Sequence, residues 1–222
     1  MDLDTLHLTD NAKGNLVDAP ERGHGGKKLL VFHDRHTKDI EAYSVPTRDA
    51  KHVADSMIQF GGNGPASHGP PIRSLVADDA KEFVSACSSI HSAHFKGTPG
   101  RDTSHGVAER ANRTALEWGR PALKQSGLGL AFGGHAIRMG LLNRRLITSN
   151  GDGVSIHSQK HGPDVPVPPM WGFGAAITFS PTLRQKAQPK VAPRGREGLL
   201  IGYAMQPGGA WSGDFLCVSQ RL

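Results

Sequence analysis

The chain has 222 residues, enough for one sizeable core and a small appendage, and its formal charge of +6 suits a polyanionic partner, nucleic acid ahead of an anionic membrane surface. Two cysteines, Cys87 and Cys217, exclude a disulfide framework and a four-cysteine zinc site. The opening MDLDTLHLTD lacks the basic-then-apolar run of a signal peptide, and no stretch reaches the roughly 18 apolar residues of a membrane span. These features predict a soluble chain of a reduced compartment, nuclear or cytoplasmic, with no membrane partner, and the 28 Gly and 15 Pro predict many loops.

From Lys28, KLLVFHD is an apolar run of strand length. After the polar RHTK, DIEAYSV alternates, with Ile40, Ala42 and Ser44 on one face, so the pair predicts a hairpin. TRDAKHVADSMIQF then places Val53, Ala54, Met57, Ile58 and Phe60 at near-helical spacing, with Thr47 the expected cap and the Gly-rich GGNGP the stop. IRSLVAD predicts a short apolar strand, and AKEFVSACSSI a helix with Phe83, Val84, Cys87 and Ile90 at i, i+1, i+4 and i+7.

A segment from about Gly106 to Ser126 has helical composition, and LAFGGHAIRMGLLNRRLIT continues as a second helix weakened by Gly133 and Gly134. From Ser149 to Pro169 the chain loses periodicity and is Pro-rich, as a linker would be. Beyond it GAAITFS, EGLLIGYAM and GDFLCVS are short strand-like runs between Pro and Gly clusters, the texture of a small barrel. The expected organisation is an α/β unit over 1–127, a trailing helix over 128–150, a linker over 151–170 and a β module over 171–222.

Three groups of acids carry chemical interest. In VADDAKEF, Asp78 follows an apolar strand and so sits at its carboxyl end, where α/β sheets gather their sites; capping of the next helix by Asp78 or Asp79 is the plainer alternative. In GVAERANRT, Glu109 falls early in a long helix, where a favourable dipole partner is equally expected. In MDLDTLHL, Asp2 and Asp4 share one face of a presumed strand, or are solvated terminal acids. Taken together, acids from separate elements suit two divalent cations, because such ions take converging oxygen ligands and need no side-chain nucleophile.

The motifs VFHDRHTKDIEAYSV, ADDAKEF, TPGRDTSHGVAERANRT and ALKQSGL resemble the integrase core of copia-like retrotransposons in content and order. FGAAITFSP, KVAPRGREGLLIGY and PGGAWSGDFLCV resemble the SH3-like module that follows that core in the same polyproteins. The resemblance implies an RNase H-like fold, a mixed five-stranded sheet with helices, plus a small C-terminal SH3-like β-barrel. It also implies Mg²⁺ or Mn²⁺, 3′-end processing and strand transfer of element ends into target DNA, and a homo-oligomer when intact. Residue by residue it maps Asp78 and Glu109 onto the second and third metal-holding, catalytic acids, and Asp4, or Asp2 in its place, onto the first.

The match has departures. The family's Asn after the second acid is Asp79 here, which puts a like charge beside a metal ligand and favours protonation of its neighbour. The usual Asn before Gly106 is His105, the usual Pro after Arg101 is Asp102, and Gly133 and Gly134 stand near the place of a Trp. The upstream His/Cys zinc module of full integrases is missing and the chain opens within the first strand, so a fragment is expected.

Other signals are weaker. Cys87, His91 and His94 would supply three zinc ligands, but Cys87 fits an apolar helix face. The Gly-rich runs at 23–26 and 61–64 lack the following Lys-Ser or Lys-Thr of a phosphate-binding P-loop, and GLGLAFGG has Phe132 where a dinucleotide fingerprint needs its third Gly. Between Arg110 and Ile147 the bases Arg110, Arg113, Arg120, Lys124, Arg138, Arg144 and Arg145 are set against one acid, Glu117. Arg110, Arg113, Arg120 and Lys124 are the expected DNA contacts, made to phosphates without reading bases. Arg184, Lys186, Lys190, Arg194 and Arg196 form a second basic strip, and Trp211 and Phe215 are expected in the core of the β module rather than on a stacking platform.

The reading is therefore an integrase-type polynucleotidyl transferase segment. Its rivals are a DNA-binding remnant whose metal site has decayed and a module whose basic faces bind an acidic protein.

Overall fold

The computed structural model describes residues 2–9, 28–62, 72–96, 102–149, 151–179 and 195–219, with the backbone alone for 2–9, 102–105 and 219. The glycine run at 23–26 and Arg184, Lys186, Lys190 and Arg194 lie outside the described residues. Strands β1 (Asp2–Thr9), β2 (Lys28–Asp34), β3 (Ile40–Val45), β4 (Ser74–Ala77) and β5 (Ala93–Lys96) form one sheet in the order β3-β2-β1-β4-β5. The β1–β2 and β2–β3 pairs are antiparallel, whereas β1–β4 and β4–β5 are parallel, so the sheet is mixed as expected.

Helices cover both faces, and this is why β2 reads as a continuous apolar run rather than an alternation. On one face α1 (Ala50–Gly61) and α2 (Lys81–Ser89) bury Val53, Met57, Phe60, Phe83 and Cys87 against Leu30, Phe32, Tyr43 and Leu75. On the other, α3 (Asp102–Ser126) and α4 (Gly133–Ile147) lay Ala111, Ala115, Ile137 and Leu141 on Leu29, Val31, Ile40 and Ala42. Both faces of β3 are thus filled, where the alternation had predicted one.

Several local expectations are corrected. The cap of α1 is Asp49, whose carboxylate accepts the His52 N–H at 2.9 Å; Thr47 donates its hydroxyl to Asp49 instead. The fifth strand that the resemblance implies is β5, which periodicity does not pick out, since it has only four residues and an exposed Phe95. Gly134, one of the two glycines expected to weaken α4, instead permits contact, since a Cβ there would meet the Ser44 hydroxyl; mid-helix, a Cβ on Gly140 would lie 2.5 Å from the Trp118 carbonyl oxygen.

The segment expected to be a linker holds α5 (Ile156–His161), capped by Ser155. Strands β6 (Ala176–Phe179), β7 (Arg196–Met205) and β8 (Trp211–Ser219) form a three-stranded antiparallel sheet. It packs on α4 through Phe173, Leu200 and Tyr203 against Ala136, Met139 and Leu142. Trp211 joins that cluster and meets the Tyr203 ring edge-on, while Phe215 is 43% exposed, so the expectation of a core role holds for Trp211 alone of the two.

Candidate active site

Asp78 follows Ala77, the last residue of β4, and its side chain is 56% exposed. The capping alternative fails, because the residue at the cap of α2 is Ala80 and no side chain fills the role. One Asp78 oxygen lies 3.4 Å from the Ala80 N–H, a long contact that consumes little of the carboxylate. The His94 ring, on β5, lies 3.2 Å from the Asp78 carbonyl oxygen, so the ends of β4 and β5 are tied together beside the acid.

Backbone register locates the first acid relative to Asp78. In β1, Leu3 pairs with Leu75 and Leu6 with Ala77, so β1 spends one residue more than β4 between these points. The same irregularity appears towards β2, where Leu3 and Thr5 face the neighbours Asp34 and His33, and the extra residue is Asp4. Bulges of this kind re-aim a side chain and are common beside active sites. Asp4 is level with Val76, about 7 Å along the strand from Asp78, whereas Asp2 pairs with Ser74, about 13 Å short of it. The register thus favours Asp4 over Asp2; the side chains of both lie outside the described residues.

Glu109 is exposed on α3. It lies two turns into a helix that begins at Asp102, several residues earlier than expected, and the dipole's pull fades within the first turn, so the dipole-partner explanation does not account for it. Arg110, Arg113, Arg120 and Lys124 are exposed too. At 3.6 residues per turn they share one face with Glu109 and run about 21 Å along the helix. Of the other three bases of the stretch only Arg145 is buried, while Arg138 and Arg144 are half-buried and each engaged with the protein. Arg138 lies 5.3 Å from the centre of the Tyr43 ring, Arg144 donates to the Lys38 carbonyl at 3.1 Å, and Arg145 is buried.

Two cations border the acids, and sequence reasoning missed both. Arg48, in the turn before α1, pairs with Glu82 and reaches within 3.7 Å of Asp78, while Lys96 on β5 pairs with Asp79. The additional charge that Asp79 brings beside Asp78 is therefore matched by Lys96. Cys87 is 1% exposed in the core and burial pushes its thiol up to about 11, as its place on an apolar helix face predicts.

Among the described residues no three His, Cys, Asp or Glu side chains gather as a metal-binding group. The donor chemistry nonetheless fits a hard divalent cation: Asp78 and Glu109 are exposed carboxylates not used as caps, and Asp4 stands at a bulge on the strand beside Asp78.

No family model matches the chain. Over 127 residues, 54% of its length, it is 31% identical to the retrovirus-related Pol polyprotein from transposon TNT 1-94 of Nicotiana tabacum, of which the match spans 9%. Among solved structures, a chain of the simian T-cell lymphotropic virus intasome in complex with PP2A regulatory subunit B56 gamma aligns with all of this chain and 76% of its own. That alignment has a TM-score of 0.51 and 15% identity, and it shows a shared fold. The HTLV-2 integrase catalytic core domain in complex with magnesium aligns over 71% of this chain and 93% of its own, at 15% identity and a TM-score of 0.48. The resemblance to retrotransposon Pol sequence read from the motifs is borne out.

Proposed function

We propose that this chain carries the carboxylate site of an integrase-type polynucleotidyl transferase, acting on DNA ends and joining them to target DNA. The observation that carries the proposal is Asp78: a half-exposed carboxylate at the end of a buried strand, not used as a helix cap, with a bulge at Asp4 on the adjacent parallel strand. Asp4, Asp78 and Glu109 would hold Mg²⁺ or Mn²⁺, with Asp2 ranked behind Asp4 by register. Bound there, such ions activate a water or 3′-hydroxyl and stabilise the leaving oxygen.

The protein's own part is to hold oxygen ligands on separate rigid elements and to position the DNA backbone. Arg110, Arg113, Arg120 and Lys124 form the phosphate-contacting stripe that begins beside Glu109. Phosphate contacts of this sort fix register without reading sequence and weaken steeply with salt. The remaining parts of the proposal are closure of the β6–β8 sheet into an SH3-like barrel, assembly as a homo-oligomer on DNA, and a nuclear or cytoplasmic location.

A second reading, a DNA-binding remnant, is favoured by one observation: among the described residues Asp78 has a cation, Arg48, as its ion-pair neighbour. A strand-transfer assay with Mn²⁺ separates the two. The proposal expects joined products from the wild type and none from Asp78→Asn, with equal DNA binding by both. Joining that survives in Asp78→Asn refutes the site assignment, and DNA binding without joining in the wild type supports the remnant.

A further inference from the structure

Arg48 enters the candidate site from outside the sequence motifs. It lies between Thr47, whose hydroxyl is bonded to Asp49, and Asp49 itself, which caps α1 through the His52 N–H, so its backbone is pinned at the start of a helix. Its guanidinium has two carboxylate neighbours. Nε is bonded to Glu82, whose side chain is 18% exposed, and Nη2 stands 3.7 Å from the 56%-exposed Asp78. The two contacts differ in kind. The Glu82 contact is a direct hydrogen bond to a partly shielded carboxylate, whereas the distance to Asp78 is an ion-pair separation with no direct hydrogen bond, across a more open site.

A guanidinium so held has donors to spare. It carries five N–H groups in a planar fork suited to carboxylates and phosphates, and the bond to Glu82 uses only one edge of it. The geometry points to Arg48 as an exchangeable positioning residue of this site: it occupies Asp78 when no cation is bound there, and turns to a DNA phosphate when one is, with Glu82 as its anchor throughout. This rests on the proposed function, since it presumes that Asp78 is a metal ligand. Both halves follow from charge. A divalent cation on Asp78 competes with Arg48 for the same carboxylate, and once displaced from it the guanidinium is left, on its Glu82 tether, facing the place where the phosphate backbone must come.

The two halves have opposite signs, and that separates them from a merely structural role. Removing Arg48 removes a competitor of the metal and a partner of the DNA together, so Arg48→Gln is expected to bind Mn²⁺ more tightly, on the order of two- to five-fold as suits an exposed ion pair. Its DNA binding weakens, with the slope of log affinity against log salt smaller by roughly one. Glu82→Gln loosens the tether and leaves the guanidinium to Asp78, so Mn²⁺ binding weakens. Arg48 is exposed and Glu82 partly buried, and a thermal midpoint for each variant checks that the fold is kept.

The experiment is a calorimetric Mn²⁺ titration of the full chain as wild type, Arg48→Gln, Glu82→Gln and Asp78→Asn, paired with salt-dependent binding to a DNA duplex. Tighter Mn²⁺ with weaker DNA in Arg48→Gln supports the exchange. Mn²⁺ binding that Asp78→Asn abolishes but Arg48→Gln leaves unchanged or weakens overturns it, with the metal site intact. Wild-type protein that takes up no Mn²⁺, or that loses none in Asp78→Asn, overturns the metal reading of Asp78 and this inference with it.

Discussion

At Arg145 a basic residue of the α3–α4 region is buried, with 1% of its surface exposed, inside a charged cluster. It donates to Asp39 at 2.9 Å, to Glu41 and to the Gly209 carbonyl at 3.1 Å, while Lys160 reaches Asp39 at 2.7 Å. Two bases thus match two acids. Burial alone would raise the Asp39 carboxyl, yet Arg145 and Lys160 outweigh it and hold the group well below the usual range. Removing one member of a buried set leaves an uncompensated charge, which costs more than the intact set contributes. Arg145→Met is therefore expected to lose about 3–5 kcal/mol, read as a fall in the urea midpoint at constant slope. The sequence marked Arg145 as basic, but whether a charge faces water or the interior depends on residues more than a hundred positions away. Arg48 escaped notice for the same reason: its neighbours Asp78 and Glu82 are brought to it only by the fold.

For elements, the apolar pattern was informative wherever it was long. The β2–β3 hairpin, α1, β4 and α2 fall within a few residues of where periodicity put them, because each buries a face. Strand β5 and helix α5 were not legible. The first is a four-residue edge strand with a half-exposed Phe95; the second is six residues long and enters the core chiefly through Ile156, His157 and the charged Lys160. The glycines of α4 misled for a definite reason: propensity prices Gly as a loss of helix stability, whereas here its lack of a side chain admits a neighbouring element, β3 at Gly134 and α3 at Gly140. Gly140→Ala would set a methyl 2.5 Å from the Trp118 carbonyl oxygen, a backbone atom that has little room to move, so a loss of about 1–3 kcal/mol is expected in thermal or urea unfolding. Of the candidate site, the strand-end place of Asp78 was readable, and the proposed ranking of Asp4 ahead of Asp2 gains support from the register of β1 on β4.

Across the whole molecule the buried cluster joins the core sheet, α4, α5 and the β7–β8 turn, and it sets the pH response. Burial, aided by Lys160 and Arg145, lowers His161 to about 4, and burial first also lowers His157. The unfolded chain binds these protons near pH 6.5 and the folded one does not, so stability is full above that pH and falls as the solution is acidified towards 4. Asp39 and Glu41 add a second loss below pH 4, where the unfolded carboxylates take up protons that the folded ones refuse. Unfolding midpoints at pH 7.5, 5.5 and 4 check this: a steady decline is expected, with His161→Gln declining less between pH 6.5 and 4. The proposed role of Asp78 is to hold a catalytic divalent cation. Its most direct test is Mn²⁺ binding by calorimetry to the wild type and to Asp78→Asn, both shown to be folded. Binding in the wild type that disappears in the variant is the predicted result; binding of equal strength in both would contradict it.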